Sequence, residues 1–214
     1  MTAPKQIDQT MKQTQRYWYE DGFQDMAFGG FVLAIALLFI LQALTPLGSP
    51  LWLLWGIGVP VVVIGGSFIA GQVIKKLKER VTYPRTGYVT YIKPRGKSRW
   101  SRLALILIIS AGVSAVIIFA ENHWLNVSVI LGLVYMATFS FLAYRFEIAR
   151  YALLALWCLT LGLALAPLAL SLQLSGAIYH IGAGAAMVLA GWLTWRRYDQ
   201  NAPKPQEAGD DARA

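Results

Sequence analysis

Residues 75–102 read KKLKERVTYPRTGYVTYIKPRGKSRWSR and divide the chain into two apolar parts. This basic segment holds ten Lys or Arg and a single acid, Glu79. On both sides of it the sequence is apolar in blocks of about twenty residues, the length that a helix needs to cross a hydrocarbon layer of about 30 Å. Because positively charged loops stay on the cytoplasmic side of a membrane, the basic segment also orients the blocks around it.

The composition indicates a membrane protein. Of the 214 residues, 57% are hydrophobic and 14% are charged, whereas soluble domains carry about 25% charged residues. The net charge of +8 lies beside the apolar blocks, where positive-inside bias and attraction to anionic lipid explain it, so we expect no nucleic acid as a partner. The single cysteine, Cys158, lies inside an apolar block and excludes a disulfide framework.

Six apolar blocks predict an all-α membrane protein with six transmembrane helices. The predicted spans are residues 27–44, 51–74, 103–120, 125–144, 151–172 and 176–195. The short links TPLGSP, ENHW and QLS join them in three antiparallel hairpins and hold none of the 19 Lys and Arg, all of which fall in the other links and the two ends. This alternation predicts a multi-pass protein of the cytoplasmic membrane with both termini in the cytoplasm.

The segments outside the spans complete the predicted organisation. Residues 1–26 form an interfacial segment that ends in aromatic residues and in three acids, Glu20, Asp21 and Asp25. We expect these acids to pair with the basic segment on the same side. The first hairpin covers residues 27–74, the second and third cover 103–195, and the polar tail, 196–214, is predicted to be disordered.

The basic segment contains a near repeat. RVTY at 80–83 and YVTY at 88–91 flank PRTG at 84–87, where Pro and Gly favour a four-residue turn and the flanks favour strands. The pattern predicts a small cytoplasmic β-hairpin with Tyr83 opposite Tyr88. The predicted contacts to anionic lipid headgroups or to a protein partner are Arg80, Tyr83, Arg85, Tyr88, Lys93 and Arg95.

Two motifs carry a resemblance. RYWYEDG at 16–22, before the first span, together with LKERVTYPRTGYV at 77–89, after the second, resembles a group of small bacterial integral membrane proteins to which no activity is attached. The resemblance covers residues 1–95. It implies a bacterial inner membrane and gives no residue a catalytic or binding role.

Titratable residues inside spans are the usual sign of function in membrane proteins. No Asp, Glu, Lys or Arg lies inside the six predicted spans, which argues against a proton- or sodium-coupled transporter, a voltage sensor and an aspartyl intramembrane protease. His180 lies inside the last span, and we expect its imidazole to bond the carbonyl of Leu163, which Pro167 leaves free, or the hydroxyl of Ser171. The alternative is a zinc site with an open position, formed by Glu121, His123 and His180 at the outer face.

Small residues indicate close helix packing in two spans. The second span carries Gly56, Gly58, Gly65, Gly66 and Gly71 around Pro60, and the last span carries Gly182, Ala186 and Ala190. Such faces serve either within the bundle or between the subunits of a homo-oligomer.

These patterns favour a non-enzymatic role without a cofactor. We expect a membrane scaffold or accessory subunit whose basic cytoplasmic face contacts anionic lipid or a partner. One alternative is a small transporter or channel for a neutral or lipophilic solute, lined by the glycines near Pro60 and by polar groups of the outer face. A metal-dependent enzyme with its site at the outer face is a third hypothesis.

Overall fold

A computed structural model describes Tyr19, residues 21–81 and residues 126–201. In these ranges the chain forms five α-helices: α1 (Phe23–Leu44), α2 (Pro50–Val81), α3 (Val127–Phe146), α4 (Ala149–Leu165) and α5 (Leu172–Asn201). A 3-10 turn, Ala166–Leu168, follows α4. Four stretches in the described part are long and apolar enough to cross a membrane, namely α1, α3, Ala149–Leu168 and α5. The protein is therefore an all-helical, multi-pass membrane protein.

The structure supports four of the six predicted spans, namely the first, the fourth, the fifth and the sixth, as helices long and apolar enough to cross a membrane. The third predicted span, residues 103–120, lies outside the described residues. The second predicted span corresponds to the first part of α2, a helix of 32 residues that is not among these four. The helix continues through Pro60 without interruption.

The predicted β-hairpin is not supported. Arg80 and Val81 form the last turn of α2, so no strand begins at Arg80, and residues 82–91 lie outside the described ranges. The helix passes the predicted boundary at Ile74 because Lys, Glu and Arg are good helix formers. Lys75 and Glu79 also pair at 3.8 Å across one turn, which adds modest support.

The turn between α1 and α2 forms from residues 45–49, as TPLGSP predicts. The Thr45 hydroxyl donates to the carbonyl of Leu41 (2.6 Å), and the Ser49 hydroxyl accepts from the backbone N–H of Trp52 (3.2 Å), near the start of α2. The two helices consequently run antiparallel. Among the described helices α2 contacts α1 alone.

Glycine contacts bring two pairs of helices close together. At the crossing of α1 and α5, a Cβ on Gly29 would lie 2.7 Å from the backbone N of Val188 and 2.8 Å from the carbonyl oxygen of Gly184. Between α3 and α4, a Cβ on Gly162 would lie 2.5 Å from the carbonyl oxygen of Ser128. Close approach of backbones at small residues is a common means of helix association in lipid.

The predicted small-residue stripe of the last span faces the interior of the bundle at Gly182. A Cβ on Gly182 would lie 2.7 Å from Leu161, and its carbonyl accepts a hydrogen bond from Nε1 of Trp157 (3.1 Å). Ala186 and Ala190 are partly buried beside the core. The close backbone approaches to α1 use Gly184 and Gly191 instead.

The core lies between α4 and α5, and Val32 of α1 and Leu131 and Phe139 of α3 pack into it. Tyr179, Ala183 and Met187 of α5 pack in one buried cluster with α4 residues that include Tyr151 and Cys158. In α2, Gly56, Gly58 and Gly66 lie against α1, as expected for close packing, whereas a Cβ on Gly65 or Gly71 would meet no atom of the described residues within 4 Å.

Candidate functional site

Several helix ends meet at one end of the bundle, which we call the charged end. The starts of α1 and α4 and the ends of α2 and α3 lie there, and they bring together Asp21, Asp25, Lys78 and Arg150. Each acid has a cation beside it. The charged end thus buries two acid–base pairs within the described part of the chain.

The first pair joins the residues before α1 to the last turns of α2. Nζ of Lys78 lies 2.7 Å from Oδ2 of Asp21, and the two side chains are 2% and 1% exposed. Oδ1 of Asp21 also accepts from the backbone N–H of Phe23, at the start of α1 (3.3 Å). Lys78 belongs to the basic segment, so the expected pairing of an N-terminal acid with that segment is confirmed.

The second pair lies at the start of α1. Nε of Arg150 donates to Oδ2 of Asp25 (2.8 Å), and the Tyr151 hydroxyl donates to Oδ1 (2.6 Å). Nη2 of Arg150 also donates to the carbonyl of Tyr19. Asp25 is 4% exposed. The ion pair connects α1 to α4. The hydrogen bond from Arg150 to Tyr19 also holds the backbone before α1 against α4.

The position of Asp25 corrects the sequence interpretation. The first span was predicted to begin at residue 27, which excluded every acid from it. Instead α1 begins at Phe23, because Asp21 and the left-handed Gly22 (φ 72°) together start the helix four residues earlier. The carboxylate then lies inside a span, where a buried charge needs a partner, and Arg150 and Tyr151 supply one.

Aromatic rings surround the second pair. The ring of Tyr19 lies 4.4 Å from that of Phe146 and 6.0 Å from that of Tyr151, measured between centroids. Burial raises the pKa of the Tyr19 phenol, a hydrogen bond with Gln24 lowers it, and the nearby charge of Asp25 raises it. The pKa is raised overall, so the phenol stays protonated at neutral pH.

A cavity of about 320 Å³ opens beside these rings. Its lining is mainly aromatic and aliphatic and comes from α1 and α3, with Tyr151 and Met187 at one side. Its polar side chains include Gln24, Asp25 and Thr138. Because both carboxylate oxygens of Asp25 already accept hydrogen bonds, the arrangement suits an anchor between helices better than a general base.

His180 lies away from the charged end, in the first half of α5. Its Nδ1 lies 2.7 Å from the carbonyl oxygen of Gly176, one turn earlier in the same helix, and therefore donates to it. The imidazole stacks on Phe39 (5.4 Å between centroids) and lies edge-on to Tyr135 and Tyr179. The predicted hydrogen-bond partners of His180, Leu163 and Ser171, are wrong. The carbonyl of Gly176 is the partner, because it lies one turn earlier in the same helix and within hydrogen-bond distance of the ring.

The predicted zinc site stays a prediction, because the structure describes only one of its three ligands, His180. Glu121 and His123 lie outside the described residues, and His180 is buried between aromatic rings. Among the residues that the structure describes, no group of three or more His, Cys, Asp or Glu could hold a metal ion. Asn126, beside the predicted site, caps α3 by accepting from the Ser128 N–H (3.2 Å) and donates to the carbonyl of Ala166 (2.8 Å).

Of the predicted lipid- or partner-binding residues, the structure describes one. Arg80 is exposed on the last turn of α2, and Tyr83, Arg85, Tyr88, Lys93 and Arg95 lie outside the described ranges. Other exposed basic residues belong to the same end of the bundle. They are Lys75, Lys76, Arg145, Arg196 and Arg197.

Sequence reasoning missed the ion pair of Asp25 with Arg150. Two signals point to it in retrospect. Asp21 and Asp25 are four residues apart, the spacing of neighbours on one helix face, and Arg150 directly precedes a span that begins with a tyrosine. Both acids and Arg150 were also predicted on the same side of the membrane.

No protein-family model matches the chain, and no curated protein or solved structure matches it.

Proposed function

We propose that the protein is a non-enzymatic membrane scaffold or accessory subunit whose basic cytoplasmic face binds anionic lipid headgroups. One observation carries the proposal. At the charged end, two acids, Asp21 and Asp25, are buried in internal ion pairs, whereas the basic residues Lys75, Lys76 and Arg80 point outward and are exposed. Neutralising these acids inside the bundle leaves positive charge on the surface.

The physical driving force is electrostatic and acts at short range. Near an anionic leaflet each Lys or Arg contributes about 1 kcal/mol, and the attraction decays over a Debye length of about 8–10 Å at physiological salt. The rest of the basic segment extends the surface with Arg85, Lys93 and Arg95.

A six-span topology with both termini in the cytoplasm belongs to the same proposal. α2 ends beside Asp21 and α3 ends beside Tyr19, both at the charged end. α3 therefore starts at the opposite end of the bundle. Residues 82–125, which join α2 to α3, consequently have to connect the charged end to that opposite end. Residues 103–120 are the apolar stretch within that segment. With α2 as the second crossing, the chain crosses six times, in a bacterial cytoplasmic membrane.

Limited proteolysis in vesicles tests the lipid contact. A protease that cleaves after aromatic residues should cut the basic segment more slowly in anionic vesicles than in neutral ones, because bound headgroups cover Tyr83 and Tyr88. Replacing Arg85, Lys93, Arg95 and Lys97 by Gln should remove that protection without altering the cleavage sites. Equal rates for the wild-type protein in both vesicles would exclude lipid and make a protein partner the better candidate.

A charge-matched variant controls for net charge. Replacing Lys5, Lys12, Lys204 and Arg213 by Gln removes the same charge from the two termini and leaves the basic segment intact. Protection should persist in this variant. Loss of protection in both variants would mean that total charge, and not the basic segment, sets the contact.

Cysteine labelling tests the topology. In a Cys158→Ala background, single cysteines at positions 49, 122 and 173 should react with an impermeant reagent in intact cells. A cysteine at position 98 should react only after permeabilisation. Labelling of position 98 in intact cells would overturn the orientation, and labelling of position 122 from inside only would overturn the crossing by residues 103–120.

A further inference from the structure

Three apolar depressions run along one side of α1. The first, of about 510 Å³, lies between α1 and α2, and the second is the cavity of about 320 Å³ between α1 and α3. A smaller one of about 160 Å³ lies between them. Phe31 lines all three, and Phe28 and Gln24 line two. Together they form one groove, bounded by α2 on one side and α3 on the other, which we call the α1 groove.

The walls of the α1 groove are mainly apolar, with Gln24, Asp25 and Thr138 as polar side chains near the charged end, and α4 and α5 reach the groove through Tyr151 and Met187. The depression between α1 and α2 is lined by Ala, Val, Ile, Phe and Gly side chains alone. On α2, Val61 and Ile69 are each 62% exposed although both line it. A wall of this composition suits an apolar helix, and it offers nothing to an aqueous path for a polar solute.

The course of the chain identifies the occupant. The segment of residues 82–125 leaves from the end of one wall, α2, and returns at the start of the other, α3. Five residues, 121–125, connect the end of the apolar stretch to Asn126, and an extended chain of that length reaches at most about 20 Å. The apolar stretch must therefore end within about 20 Å of the start of α3.

The length and composition of residues 103–120 fit the groove. As a helix these 18 residues would be about 27 Å long, close to the hydrocarbon thickness. Their centre carries small residues, which allow close approach to a neighbouring helix. These are Ser110, Ala111, Gly112, Ser114 and Ala115. Resting on the six-span proposal above, we propose that residues 103–120 occupy the α1 groove, between α2 and α3 and antiparallel to both.

The antiparallel direction fixes which part of the segment meets which part of the groove. The first half, near Arg102, belongs at the charged end, and the cavities beside Gln24, Ala70 and Thr138 lie toward that end. The second half belongs beside Ala34 and Val61. Contacts to α2 and to α3 should therefore fall on two different faces of one helix.

Disulfide crosslinking tests this arrangement in the full-length protein in its membrane. In a Cys158→Ala background, one cysteine is fixed at Ala70 on α2 or at Thr138 on α3, and the second is moved through positions 103–112. We expect crosslinks within one chain at every third or fourth position, with the two fixed cysteines selecting different faces. Matched fixed cysteines at Leu156 and Leu189, which are exposed away from the groove, should give none.

Three outcomes would overturn the proposal. Crosslinks between chains, seen as dimers on a non-reducing gel, would make a second copy the occupant. Reaction of cysteines at Ala70 and Thr138 with a membrane-soluble reagent, without any crosslink, would show lipid in the groove. Crosslinks without periodicity would mean that the segment does not dock as a helix. Labelling at positions 98 and 122 separates these results from a failure of the topology.

Discussion

Asp25→Asn tests the buried ion pair of α1 and α4 with the smallest change of shape. The substitution removes one charge, keeps the size of the side chain and leaves Arg150 without its carboxylate. Breaking a buried pair by removing one partner costs about 3–5 kcal/mol. The side chain of Arg150 is 21% exposed and still donates to the carbonyl of Tyr19, so water and that carbonyl offset part of the loss.

The second hydrogen bond of the carboxylate adds to the cost. The Tyr151 hydroxyl would then donate to a neutral amide oxygen, and hydrogen bonds to charged groups exceed neutral ones by about 1 kcal/mol. Discounting the ion pair to about 2 kcal/mol for the exposure of Arg150, we expect Asp25→Asn to lower the free energy of unfolding by about 3 kcal/mol. That is a factor of about 100 in the unfolding equilibrium.

Equilibrium unfolding of the purified protein in mild detergent, followed by the fluorescence of its eight tryptophans, measures this change. Glu79→Gln is the control, because its pair with Lys75 is exposed, 3.8 Å long and spaced i,i+4, and such pairs contribute only about 0.3–0.5 kcal/mol. The double variant with Arg150→Gln should lose less stability than the two single variants summed. A loss for Asp25→Asn no larger than that for Glu79→Gln would refute the buried pair.

Three further variants test other parts of the bundle by the same unfolding assay. Gly29→Ala should cost about 1–3 kcal/mol, because the added methyl would lie 2.7 Å from the backbone of α5. Gly30→Ala, whose added methyl would meet no atom of the described residues within 4 Å, should be neutral or slightly stabilising. Equal effects of the two substitutions would contradict the close crossing. Tyr151→Phe should cost about 1.5–3 kcal/mol, because it removes a hydroxyl that is hydrogen-bonded to a carboxylate. Tyr144→Phe, at a residue that is 85% exposed, should leave the stability unchanged. Equal stability of the two variants would contradict the hydrogen bond of Tyr151. His180→Gln should cost about 1 kcal/mol and leave the metal content unchanged; stoichiometric zinc that is lost in this variant would support the outer-face site instead.

Apolar length and turn chemistry made much of the fold predictable. The blocks that became α1, α3, α4 and α5 exceed what a soluble core helix needs, and the link at residues 45–49 contains the Thr, Pro, Gly and Ser that end one helix and start the next. The end of α2 was not predictable in this way. The repeat around PRTG suggested a strand from Arg80, while helix propensity and the buried pair of Lys78 with Asp21 continued the helix to Val81.

The charged end was predictable in outline and not in detail. Charge counting assigned the acids and the basic segment to the same side of the membrane, and the pair of Asp21 with Lys78 follows from that. The burial of Asp25 depends on the start of α1 at Phe23, which in turn depends on one left-handed glycine and on one hydrogen bond from the Phe23 N–H to the Asp21 carboxylate. Such local geometry has no signature in hydropathy. The hydrogen-bond partner of His180 also depends on helix geometry, because it is the carbonyl of Gly176, one turn earlier in the same helix.

The central claim is that the basic cytoplasmic face binds anionic lipid. The most direct test of this claim is the emission of a fluorophore attached to the basic segment. An environment-sensitive dye is attached at position 98, in a Cys158→Ala, Ser98→Cys variant, and the protein is placed in nanodiscs of neutral or anionic lipid. We predict a blue shift in anionic nanodiscs at low salt, reversed when the ionic strength rises from about 0.1 M to about 1 M and the Debye length falls from about 10 Å to about 3 Å. Identical emission in the two lipids at low salt would contradict the account.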